Sequence, residues 1–249
     1  DYNSSRQRKT LLLIDDAHNL FVGKVGGFGA LRALTDIINL NTENLFWCVA
    51  FNEYSWSYLK GVFGGADYFR SEVRINPWSD ASIKGLILKR HEHSNFRLTY
   101  DRVILATSSA SSNTDAIAYA EEQFFRLLWE QSAGNPRVAM FLWLDAIRPR
   151  RNNTLVVGLP ERPRAERLTG LDDTAWFVLS AVVSHENASR REISDSTNLP
   201  FGAVSHALKV ACEDRLLHKD ESHRYRLGFT YQHDLIRQLK AKNFIYGLD

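Results

Sequence analysis

Hydrophobic positions fall into short unbroken runs in the first fifty residues and into helical stripes beyond them. Leu11-Leu12-Leu13-Ile14 has the length of a strand and stops at Asp15-Asp16; a second run, 45–51, stops at Asn52. Unbroken rather than alternating hydrophobicity predicts strands buried on both faces, as in a parallel sheet. Between the runs a Gly-rich loop, 23–29, leads into a helical pattern over 30–40, with Leu31, Leu34, Ile37 and Ile38 on one face. Strand, helix and strand with short links predict one βαβ crossover.

From Trp78 the period becomes helical. Ser79 suits an N-cap, and Ile83, Leu86 and Ile87 share a face. After a Ser-rich loop, 108–114, a long helix carries Ile117, Ala120, Phe124, Leu127 and Leu128 opposite Glu121, Glu122 and Arg126. Gly134 suits the end of that helix, while Asn135-Pro136 suits the start of the next, with Asn as N-cap and Pro in the first turn. Residues 148–167 are rich in Pro and Arg and hold one strand-like run, 155–159. Three helical segments follow, at 172–183, at 189–196 (opened by a capping box, Ser189 and Glu192) and at 200–214. Leu216-Leu217 and 224–227 flank a polar turn, so they predict a two-stranded wing, and an amphipathic helix over 233–243 closes the chain. Three helices and a wing make a winged-helix pattern. The expected organisation is α/β followed by all-α: an α/β part over 1–77, a small helical domain over 78–147, a basic linker over 148–168 and a winged helix over 169–249. No internal repeat is evident.

Composition narrows the class. In 249 residues, 44% hydrophobic and 12% aromatic side chains suffice for a buried core, so disorder is excluded. The longest apolar runs fall well short of the roughly 18 residues of a membrane span. Two cysteines exclude a disulfide framework or a four-cysteine zinc site and point to a reducing, cytoplasmic setting. Cys48, inside the second apolar run, is expected to be a small buried hydrophobe, and Cys212 lies in a helical pattern. The aromatics Phe46, Trp47, Trp56, Trp129 and Trp143 are expected in the core. The chain begins at Asp1 without Met or a signal peptide, the expectation being a piece of something longer.

Two acids directly after an apolar strand stand where a parallel sheet places its ligand, although a plain acidic turn accounts for them equally well. The order of later signals favours the first reading: a polar residue ending the next strand, a helical segment, then Gly134-Asn135-Pro136-Arg137 at a helix start. With these residues the chain resembles the AAA+ ATPases, in the branch of transposition and secretion ATPases, replication initiators and signal-transduction (STAND) NTPases. The resemblance covers nearly the whole chain. It implies that residues 11–16 are the Walker B strand, that Asn52 is sensor 1 and that Gly134-Asn135-Pro136-Arg137 is sensor 2. It further implies ATP and Mg²⁺ as cofactors, with Asp15 holding the metal, Asp16 polarising the attacking water, Asn52 positioning it and Arg137 reaching the γ-phosphate from a lid. Arg70 or Arg74 would be an arginine finger for a neighbouring subunit of a homo-oligomer, a solvated surface charge being the other reading of each.

Two departures qualify the resemblance. The only Gly-Lys, Gly23-Lys24, has His18 where a Walker A motif has its first Gly and Val25 where it has Ser or Thr, so it is not a P-loop. A Walker A segment is expected upstream, and this chain alone is not expected to hydrolyse ATP. The second departure is Asp16 in place of the usual Glu, which draws the carboxylate back by about 1 Å; with the missing P-loop it keeps open a second reading, a nucleotide switch or non-catalytic scaffold whose winged helix contacts protein or DNA.

The winged-helix pattern offers a second function class. On duplex DNA, Ser205, His206 and Lys209 would approach base edges, and Lys219, Arg224 and Arg226 would meet phosphate. Seven basic side chains face six acidic ones between 189 and 226, a weak footprint for nucleic acid, so a protein contact stays equally open. The linker is more basic, through Arg148, Arg150, Arg151, Arg162, Arg164 and Arg167. His91 and His93 around Glu92 suit a solvated turn rather than a metal site.

Overall fold

The computed structural model describes residues 9–40, 44–63, 69–101, 103, 113–160 and 166–245, with 113–116 as backbone only. Arg162, Arg164 and most of the Ser-rich loop lie outside the described residues. The chain divides into two compact units: one made of Asp1–Glu72, Glu166–Gly228 and Leu235–Asp249, the other of Val73–Ala165 and Phe229–Asp234.

In the first unit, strands β1 (Thr10–Ile14) and β2 (Leu45–Val49) pair in parallel, with Leu12 opposite Trp47 and Ile14 opposite Val49. Helix α1 (Gly29–Leu40) makes the crossover. Helix α2 (Glu53–Val62), which hydrophobic periodicity does not announce, begins directly after β2 because the Asn52 side chain accepts hydrogen bonds from the Tyr54 and Ser55 amides. Phe21, Leu31 and Leu59 form the core of this part, and the Phe21 and Phe28 rings stack at 5.6 Å.

The expectation of strands buried on both faces is not met. Leu11 and Leu13 are 56% and 71% exposed, Phe46 is 69% exposed, and Cys48 is exposed rather than buried. The register explains the grouping, since Leu11 lies opposite Phe46 and Leu13 opposite Cys48, so the four share one face. No layer covers that face among the described residues. Trp47 and Trp56 are partly buried.

The C-terminal part of this unit contains a single turn α6 (Glu166–Thr169), then α7 (Asp173–His185), β6 (Ala188–Ser189), α8 (Arg190–Thr197), α9 (Phe201–Glu213), β7 (Leu217–Lys219) and β8 (Arg224–Leu227). The strands form an antiparallel sheet in the order β6-β8-β7. Helix α10 (Gln232–Ala241) belongs here from Leu235 onward. Leu179, Val182, Ile193, Val204 and Leu208 are buried, which accounts for the apolar stripes of the three helices. The capping box is present: Ser189 Oγ accepts from the Glu192 amide, and a Glu192 oxygen accepts from the Ser189 amide at 2.7 Å.

In the second unit, α3 (Asp80–His91) is capped by Ser79, and β3 (Arg97–Thr99) follows. Next come α4 (Asn113–Ser132), α5 (Pro136–Ala146), β4 (Ile147–Arg150) and β5 (Thr154–Val157), with strand order β3-β5-β4. Ile83, Ile87, Phe124, Leu128, Leu142 and Trp143 are buried together. Ile117, expected on the apolar stripe of α4, is 48% exposed, one turn beyond the buried Ala120. The basic segment after α5 is a hairpin, and Pro149 fits it because β4 is an edge strand.

Candidate functional site

The parallel register places Asp15-Asp16 and Asn52 at the carboxyl ends of adjacent strands, where an open α/β sheet presents its ligand groups. Beyond the strands the ladder continues: the Ala50 amide donates to Ile14 O at 2.8 Å and the Ala17 amide to Ala50 O at 2.9 Å. Asp15 is exposed, and its Oδ1 accepts from the Asp16 amide at 2.9 Å. Asp16 turns the chain with φ 52°, and its carbonyl accepts from both the amide and the side chain of Asn19. That sharp turn sends His18 inward, where it is 2% exposed.

Asn52 uses both ends of its amide. Oδ1 caps α2, and Nδ2 donates to Glu186 Oε2 at 3.2 Å. Glu186 follows α7 with φ 54° and comes within 3.8 Å of His18 Nε2. Ser55 Oγ donates to Ser184 O beside it. On the far side of the loop, Lys24 pairs with Asp195 of α8 at 2.8 Å. Glu186 is the residue that the sequence pattern misses: it stands in a short polar break between an apolar helix and a capping box, and its approach to Asn52 spans 134 positions. Next to it, burial holds His185 below its ordinary value, the nearby His18 and Arg224 adding to the effect and Glu192 opposing it. The His185 ring packs 5.4 Å from that of Phe21.

Arg137 lies in the other unit. Its amide donates to Asn135 Oδ1 at 2.9 Å and its guanidinium sits 5.4 Å from the Phe229 ring centre. Gly134 has φ 71°, and a Cβ there would stand 2.6 Å from Trp78 O, so the Gly-Asn-Pro-Arg turn is seated against the chain entering α3. The Trp129 indole N–H donates to the same Trp78 carbonyl at 2.8 Å. Arg70 is exposed, and among the described residues no hydrogen bond or ion pair joins it to the acid pair; Arg74 is exposed as well.

On α9, Ser205 Oγ donates to Phe201 O at 2.7 Å, His206 is exposed, and Lys209 lies 3.8 Å from Glu213. Lys219 is exposed at the end of β7. Arg224 is committed internally: Nη2 lies 2.8 Å from a Glu192 oxygen and donates to Asn187 O at 2.7 Å, while Nε donates to Asn187 Oδ1 at 3.2 Å. Arg226 Nε lies 3.8 Å from Asp220.

For a magnesium nucleotide, the exposed Asp15 carboxylate fits the oxygen preference of Mg²⁺. The phosphate cradle does not fit: the loop at Gly23-Lys24 lacks the P-loop pattern, and its lysine is paired with Asp195.

No family model matches the chain, and no curated protein does. Among solved structures it is similar to RuvB of Thermotoga maritima, with 13% identity over 91% of this chain and 70% of that one at a TM-score of 0.36. Cdc6p of Pyrobaculum aerophilum gives 12% identity over 96% and 68% at 0.31. The ORC2 protein of Aeropyrum pernix gives 12% over 94% and 66% at 0.29. All three are AAA+ ATPases. Among the described residues, no helix is long and apolar enough to cross a membrane.

Proposed function

We propose that this chain is the C-terminal portion of an AAA+ ATPase that couples nucleotide binding and hydrolysis to conformational change. Its parts are the second half of a P-loop α/β core, a helical lid and a winged helix. The observation that carries the reading is the parallel β1–β2 register, which sets Asp15, Asp16 and Asn52 side by side at the strand ends. A preceding Walker A segment of the same protein would bring the phosphate cradle and cover the exposed Leu11, Leu13 and Phe46 face.

Asp15 would hold Mg²⁺ through its exposed carboxylate; the ion, when bound, neutralises charge on the transferring phosphoryl group. Asp16 would accept the proton of the attacking water, and Asn52 would orient that water with its amide. The same amide donates to Glu186, so a shift of Asn52 on nucleotide binding would be passed to the turn after α7. Arg137 on the lid would report the γ-phosphate, and Arg70 would act across a subunit boundary. Equilibrium binding of ATP by the protein carrying its upstream segment tests the assignment: Mg²⁺ should tighten binding to the native protein and leave Asp15→Ala indifferent. Equal Mg²⁺ dependence in both would remove Asp15 from the metal site.

For the winged helix, the internal commitment of Arg224 favours a protein contact over duplex DNA, since a guanidinium tied to Glu192 and Asn187 is withheld from phosphate. Salt-dependent duplex binding that weakens in both Lys209→Ala and Lys219→Ala would reverse this choice in favour of DNA.

A further inference from the structure

Asp16, His18 and Glu186 bring one ligand atom each to within 4.8 Å of one another. His18 is 2% exposed, and among the described residues its buried Nδ1 has no hydrogen-bond partner. Its Nε2 faces Glu186 Oε2 at 3.8 Å, too long for a hydrogen bond. Two ligands on one tetrahedral zinc ion, each bonded at about 2.1 Å, lie roughly 3.4 Å apart. The groups are therefore near coordination distance, and the long, half-exposed Glu186 side chain can close the remaining gap. The Asn52 amide, donating to Glu186 at 3.2 Å, orients that carboxylate as a hydrogen-bond partner orients a metal ligand.

We propose that Asp16, His18 and Glu186 bind a divalent transition-metal ion of the zinc type, with water completing a four-coordinate site. The donor set selects the ion class: one imidazole nitrogen and two carboxylates suit Zn²⁺ or Co²⁺, whereas Mg²⁺ takes oxygen ligands. The ion would clasp the turn after β1 to the turn after α7. It would also occupy the carboxylate of Asp16, so that metal binding and any hydrolytic use of that acid exclude each other. The site does not depend on the ATPase reading, because its three ligands are all within this chain.

The test uses tag-free protein freed of metal with a chelator and titrated with Co²⁺ by visible absorption and with Zn²⁺ by calorimetry. The expected result is one equivalent bound, with the visible bands of tetrahedral Co²⁺, and affinity lowered at least ~10-fold in Glu186→Gln and again in Asp16→Asn. Both substitutions are on exposed side chains, so the buried His18 is left in place and circular dichroism can verify folding. Absence of stoichiometric binding, or equal affinity in native protein and both variants, would overturn the site; the latter would put the ion on other histidines or cysteines.

Discussion

Asp16 carries its carboxylate one methylene closer to the backbone than a glutamate would, on a residue held at φ 52°. If its task is to polarise water, the shortfall of about 1 Å limits the rate. Asp16→Glu in the protein with its upstream segment should then raise hydrolysis, by up to ~10²-fold. An unchanged or lower rate would show that the acid's reach is not the limitation. At Gly134, φ 71° and the closeness of Trp78 O leave no room for a side chain, so Gly134→Ala should cost about 1–3 kcal/mol in denaturant unfolding. A cost near zero would mean that the turn is not seated as described. The Asn135 cap is legible in the sequence because it acts on its immediate neighbours. Glu186 is not, because its partners His18 and Asn52 are reached only through the tertiary fold.

Among the elements, the capped turn Ser189 to Glu192 and strand β8 are bound into one brace by Arg224. Burial pushes the Glu192 carboxyl up, but the Ser189 amide and hydroxyl and the Arg224 guanidinium outweigh it and hold the group below its ordinary value. Its contribution is thus present above the ordinary carboxylate value and lost as pH falls through its folded value. His185 acts in the same direction from a higher starting point: burial keeps it neutral when folded, so the unfolded chain takes up the proton first. The stability it confers is complete above its ordinary value of 6.5 and falls as pH drops below that. Urea unfolding at about pH 7.5 and about pH 5.5 should show this loss, and His185→Asn should reduce it. An unaltered pH slope in the variant would assign the loss to other groups. Caps and long helices were readable because their signals are local. Helix α2 and strands β3 and β4 were not, since their pairing and packing partners lie elsewhere in the chain. The exposure of β1 and β2 departs from their apolar pattern for a related reason: apolar character states what a face prefers, and only a covering layer makes it buried.

For the whole molecule, the strand register sets Asp15, Asp16 and Asn52 at the carboxyl ends of β1 and β2, and the Asn52–Glu186 hydrogen bond joins that edge to the three-helix part of the same unit. The most direct test is steady-state Mg-ATP hydrolysis by the protein carrying its upstream segment, beside Asp15→Ala. Hydrolysis that is lost in the variant is the predicted result. Hydrolysis that persists in Asp15→Ala, or its absence from the native protein despite an intact upstream P-loop, would contradict the account.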